Sequence, residues 1–167
     1  MKDLEREAWL ESAMARWETG LLRLCYAYLG DRALAEDAVQ ETFLKAWKGY
    51  GQFRGEAQEK TWLTRIAINT CKNLRRSAWF RHVDRSASPD DLPEPSAPFT
   101  FHDDAVTKAV MGLKPKLKAV VLLRWYQELT AEETAEALGI SRSAVFQRLD
   151  RAQTALRRAL EAWYHEA

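Results

Sequence analysis

The side chains most often used for covalent or metal chemistry are few in this chain and poorly spaced for it. His82, His102 and His165 are scattered, and no His-x-x-x-His, Cys-x-x-Cys, glycine-rich phosphate loop or nucleophile elbow occurs. Cys25 and Cys71 each fall inside an apolar helical pattern, where a buried reduced thiol is a simpler reading than a disulfide or metal pair. An enzyme is therefore not expected, and neither is a cofactor or a bound metal. What does recur at useful spacing is Arg, Lys, Asn and Gln, whose chemistry is reversible hydrogen bonding to phosphates and base edges.

Two segments carry such residues on one face. Along 61–79, Arg65, Asn69, Lys72, Asn73 and Arg76 lie opposite an apolar stripe of Leu63, Ile66, Ala67, Thr70, Cys71 and Leu74. Basic residues interleaved with amides suit a surface that tracks phosphates and bonds exposed bases. Trp62 and Trp79 read as structural anchors at the helix ends. Phe53 and Arg54, in the preceding loop, could meet an unstacked base, or Phe53 could equally be a lid on the core. The second segment is 142–151, where Arg142, Ser143, Phe146, Gln147 and Arg151 face outward, with Arg148 beside them. Arg and Gln can read base edges bidentately, while Ser suits phosphate.

The formal charge of +1 conceals this segregation. Residues 60–85 hold seven Lys or Arg against Asp84 alone, and 142–158 hold five Arg against Asp150. Between them, 86–104 hold Asp90, Asp91, Glu94, Asp103 and Asp104 with no Lys or Arg, and four of the five prolines. Proline and acid together read as an extended linker. The implied plan is a domain at 1–80, a linker at 81–103 and a second domain at 104–167. No apolar run approaches the roughly 20 residues of a membrane span, and the acidic start MKDLEREAWLESAMARWE is no secretory signal, so a cytosolic chain is expected.

Helices must position these faces, since no alternating β-branched run suggests a sheet. The expectation is all-α, with two small four-helix domains. In the first, a helix spans 3–18, Gly20 interrupts, and a second helix ends at Gly30. Asp31 then caps a third, whose core face is Ala35, Ala38, Val39, Thr42, Phe43, Ala46 and Trp47. That third helix has an additional stripe, Asp37, Gln40, Glu41 and Leu44, and an exposed Leu among acids and an amide suits a partner helix.

The second domain begins with a short helix near 103–112, then one from Pro115 to Tyr126. Thr130 with Glu133 forms a capping box for a helix ending at Leu138-Gly139, and Ser141 caps the last helix. Ala135 permits close approach, Gly139 takes the tight turn, and Val145 anchors the second helix on the first, with Leu138, Ile140 and Leu149 completing a small core. This spacing is that of a helix-turn-helix.

Three ordered motifs, DRALAEDAVQETFLKAW (31–47), TWLTRIAINTCKNLRR (61–76) and LKAVVLLRWYQELTAEETAEALGISRSAVFQRLDRAQ (117–153), resemble the group IV, extracytoplasmic-function (ECF) sigma factors of the sigma-70 superfamily. The resemblance implies a region 2 domain and a region 4 domain. It implies core RNA polymerase binding through Asp37, Gln40, Glu41 and Leu44. Capture and melting of the −10 promoter element would fall to Phe53, Arg54, Arg65, Asn69, Lys72, Asn73 and Arg76. Reading of the −35 element would fall to Arg142, Ser143, Phe146, Gln147, Arg148 and Arg151. An anti-sigma factor is implied as a further partner, and a signal-responsive regulon as the output. The resemblance also implies that the acidic linker threads toward the active-site cleft and RNA exit path of the polymerase.

The chain departs from the family pattern at Ala144-Val145-Phe146-Gln147-Arg148, where many relatives have a Thr-Val-Lys-Ser-Arg-like run, and at Gln153, where Arg is usual. The short ends suggest no built-in sensory domain. The rival reading is a stand-alone helix-turn-helix regulator, which would need only the second half of the chain and leaves the Asp37–Leu44 stripe and acidic linker without a role.

Overall fold

A computed structural model of the chain describes residues 2–52, 59–81 and 104–166. Phe53 and Arg54 lie outside the described residues, as does almost all of the acidic linker. The described part is helical throughout, with α1 (Lys2–Leu29), α2 (Arg32–Lys48), a 3-10 turn (Tyr50–Gln52), α3 (Glu59–Arg81), α4 (Asp104–Met111), α5 (Pro115–Val121), α6 (Ala131–Leu138) and α7 (Arg142–Glu166).

The expected break at Gly20 does not occur. α1 runs unbroken through it, so the first module is three long helices and a 3-10 turn among the described residues, rather than four helices. A helical glycine costs only about 1 kcal/mol relative to alanine. Here that cost is offset by burial on both sides, from Ala13 before it to Leu21, Leu24, Cys25 and Tyr28 after it. The helix ends only at Leu29, more than two turns beyond Gly20, where Gly30 takes a positive φ of 73° and its N–H donates to the Tyr26 carbonyl at 2.7 Å. Asp31 then caps α2, accepting from the Leu34 N–H at 3.1 Å.

α1, α2 and α3 pack together around Leu24, Cys25, Ala38, Phe43, Leu63, Ala67 and Cys71. The Cys25 and Cys71 thiols are both free and buried. A hydrogen bond between them is the main influence raising the Cys71 pKa, with burial second. At one end the ring of Trp9 meets Tyr50 at 5.1 Å and Trp62 at 5.9 Å, in keeping with the structural role expected of Trp62. Arg16 and Glu59 tie α1 to the start of α3 at 2.9 Å.

In the second module Pro115 opens α5, its missing N–H harmless in a first turn. α5 passes into a π-helical turn, Leu122–Tyr126. The N–H of Gln127 reaches back five residues to Leu122, and that of Leu129 reaches Leu123, closing the turn with Glu128 at φ 58°. The capping box forms in both directions, Glu133 N–H to Thr130 Oγ1 at 3.1 Å and Thr130 N–H to Glu133 Oε1 at 3.0 Å. Gly139 is left-handed (φ 66°, ψ 36°), and Ile140 N–H returns to the Ala135 carbonyl. Ser141 Oγ accepts from Ala144 N–H at 3.0 Å, and Val145 is fully buried against α6. The helix-turn-helix is therefore built as its spacing requires.

Candidate nucleic-acid interface

The stripe on α2 faces away from the core. Asp37, Gln40 and Glu41 are exposed, and Leu44 is 47% exposed. Together with Lys45, Thr70, Asn73 and Leu74 they line an open groove of about 510 Å³ between α2 and α3. Lys45 Nζ donates to Thr70 Oγ1 at 3.2 Å across its floor, which holds the two helices in register. The groove mixes carboxylates, amides and leucines, the chemistry of a protein contact rather than of a phosphate cradle.

On α3, the expected core stripe of Leu63, Ala67, Thr70 and Cys71 is buried, with Ile66 and Leu74 half-buried. Arg65, Asn69, Asn73 and Arg76 are exposed on the outer side. Lys72 is not. It is half-buried, and burial lowers its pKa, helped by the like charges of Arg148 and Lys116.

The reason is a second buried face of α3 that periodicity alone did not reveal. Thr61, Thr64, Ile68 and Arg75 are also buried, because α3 packs against α6 of the second module. Thr61 Oγ1 donates to Glu133 Oε2 at 2.6 Å. Lys60 Nζ donates to the Gln127 carbonyl, and Gln127 Nε2 donates to the Gly20 carbonyl at 3.3 Å. Lys118, buried on α5, sits 6.0 Å from the Tyr28 ring, and burial, assisted by the charge of Arg75, lowers its pKa to about 8. The signal for this seam was Thr61 and Thr64 on one side with Ile68, which gives α3 more buried circumference than one core needs.

On α7, Arg142, Ser143, Phe146, Gln147 and Arg151 are exposed on one side, as expected. Phe146 is 46% exposed, and the Arg142 guanidinium stands 5.6 Å from its ring centroid. Arg142 also pairs with Glu132 of α6 at 3.0 Å. Arg148 differs from its neighbours: it is half-buried and turned toward the seam, where its charge reaches Lys72. Among the described residues no cluster of three or more His, Cys, Asp or Glu could hold a metal, and no helix is long and apolar enough to cross a membrane.

Fold and surfaces together define an all-α protein in which a helix-turn-helix is joined to a second helical module carrying its own basic helix. Sigma-70 region 2 matches residues 14–81 and Sigma-70 region 4 matches residues 109–158. The ECF RNA polymerase sigma factor SigL of Mycobacterium tuberculosis is 32% identical over 164 residues, spanning 95% of this chain and 89% of that one. The ECF RNA polymerase sigma factor SigG of the same organism is 34% identical over 164 residues, 81% of this chain. This chain spans only 44% of SigG's length. The sigma factor RpoE of Bartonella quintana, solved in complex with the anti-sigma factor NepR, shares the fold with a TM-score of 0.73 at 21% identity, over 96% of this chain and 98% of that one. The chain belongs to the ECF RNA polymerase sigma factor family.

Proposed function

We propose that the chain binds core RNA polymerase and directs it to promoters of a signal-responsive regulon, with no catalysis of its own. Residues 1–80 form the module for the polymerase and the −10 element, 81–103 the tether, and 104–167 the −35 reader. The observation that carries this reading is Leu44, 47% exposed between Asp37, Gln40 and Glu41 at the rim of an open groove. A stand-alone DNA-binding regulator has no use for such a face, whereas a subunit that docks on a polymerase helix does.

In this reading Arg65, Asn69, Lys72, Asn73 and Arg76, with Phe53 and Arg54, hold the opened −10 strand. Arg142, Ser143, Phe146, Gln147, Arg148 and Arg151 engage the −35 major groove. The free chain binds promoters poorly, because the docked modules leave Lys72 and Arg148 half-buried at their seam. Docking of α2 on the polymerase separates the modules and frees both cations for phosphate. The seam is suited to separation, since burial there works against the charged form of Lys118 and lowers its pKa to about 8. An anti-sigma factor would act by holding the closed arrangement, and the site of action is the cytoplasm.

The test is promoter-dependent run-off transcription by purified core polymerase with and without the chain, on a genome-wide set of templates. Gain of specific transcripts is the expected result. If no template responds, the sigma reading fails.

A further inference from the structure

We propose that Phe146 and Arg142 act as one composite base reader, in which the Phe146 ring packs on the C5-methyl group of a thymine one or two base pairs from a guanine read by Arg142. The proposal rests on the assignment of α7 to the −35 major groove and specifies what that helix selects there.

A phenyl ring in the middle of a cationic, hydrogen-bonding face needs a reason. Phe146 lies between Ser143, Gln147 and Arg142, and nearly half of it is open to solvent. It has no charge for phosphate and no donor or acceptor for a polar base edge. In the major groove one group suits it, the thymine methyl, which is the apolar feature of an otherwise polar pattern. A basic residue in its place would add affinity without regard to sequence, through counterion release. Phe146 exchanges that general attraction for a contact only one base can make.

The surroundings hold the pair ready. Arg142 and Phe146 are one helical turn apart, with the guanidinium 5.6 Å from the ring centroid, a cation–π contact. Glu132, from the preceding helix, grips the same guanidinium at 3.0 Å. The long Arg142 side chain is thus steadied from two sides in the first turn of α7, where base edges are met. The separation of 5.6 Å compares with the roughly 3.4 Å rise per base step, which puts the methyl and the guanine one or two steps apart.

The experiment uses core polymerase reconstituted with the full chain. Selection from DNA randomised over the −35 region first yields the preferred element; enrichment of no element would overturn the sigma reading itself, and the composite reader with it. Each thymine of the selected element is then replaced singly by deoxyuridine, which deletes only the methyl. The expected result is one position at which uracil weakens the wild-type complex about fourfold, the value of one buried methyl-sized group. That penalty vanishes in Phe146→Ala and persists in part in Phe146→Leu. Phe146→Lys loses the methyl dependence and steepens the salt dependence of log K by about 0.9, one added phosphate contact. Phe146 is exposed, so these variants keep the fold, which matched thermal melting verifies. An element selected normally but indifferent to uracil at every thymine, or a uracil penalty unchanged in Phe146→Ala, overturns the composite reader and leaves the sigma reading standing.

Discussion

The Thr61 hydroxyl donates a 2.6 Å hydrogen bond to Glu133 Oε2, joining the first turn of α3 to the first turn of α6 across 72 positions of sequence. The other carboxylate oxygen of Glu133 closes the capping box of α6 at Thr130. One side chain therefore both starts the helix-turn-helix and latches it to the other module.

That latch is testable by substitution and by pH. Thr61→Val should weaken docking of the two modules by about 1.5–3 kcal/mol, the net value of a hydrogen bond to a charged group. The Thr61 and Thr130 bonds hold the Glu133 carboxyl below its ordinary value of 4.5. A depressed carboxyl stabilises above its ordinary pKa and loses that contribution as pH falls through the lower folded value. Energy transfer between labels on the two modules should therefore report opening below pH 4.5, and Glu133→Gln should remove that component.

Lys118 opposes docking where Glu133 supports it, yet its pH slope has the same sign, because both pKa values are lowered in the docked state. Its pKa in the docked state is about 8 against 10.5 when free, so between those values only the open form holds the proton. Docking should strengthen as pH rises from about 8 toward 10.5 and remain at its weaker limit below 8. Lys118→Met should abolish the slope and favour the closed arrangement at neutral pH, measured by the same energy transfer.

Charge reversal at Asp37 and Glu41 should weaken core polymerase binding while leaving the thermal melting of the chain unchanged, since both side chains are exposed. Leu44→Ala should cost about 1 kcal/mol of the same affinity through lost apolar contact. Titration of labelled chain with core polymerase decides both, and unchanged affinity would remove these residues from the interface.

Arg142→Ala and Gln147→Ala should each relax −35 preference by about 1–3 kcal/mol per lost base contact. Arg151→Ala, if its partner is a phosphate, should instead lower affinity evenly across sequences and reduce the salt slope. Competition binding of the holoenzyme on variant promoters separates the two behaviours.

Gly139→Ala isolates a backbone cost. A Cβ there would touch nothing within 4 Å, so only the positive φ of 66° opposes it. The variant should lose about 1–2 kcal/mol in denaturant unfolding without loss of core packing.

Features set within one helical turn were legible from residue order. Asp31, the Thr130–Glu133 box, Gly139 and Ser141 each act on backbone groups three or four residues away, and each does what its type and position require. The core stripes of α2 and α3 and the anchors Ala135 and Val145 were likewise readable, because one buried face imposes the helical period. Gly20 shows the limit of local signals. Its propensity argues for a break, but the packing of residues 13–29 against α2 and α3 carries α1 straight through. The second buried face of α3 and the half-burial of Lys72 and Arg148 depend on contacts between segments some seventy residues apart. Such contacts leave at most a mixed polar and apolar trace, as at Thr61, Thr64 and Ile68, which does not say what covers it. They arise when two finished surfaces meet, so residue order identified the cations and the docking of the modules determined which stay open to solvent.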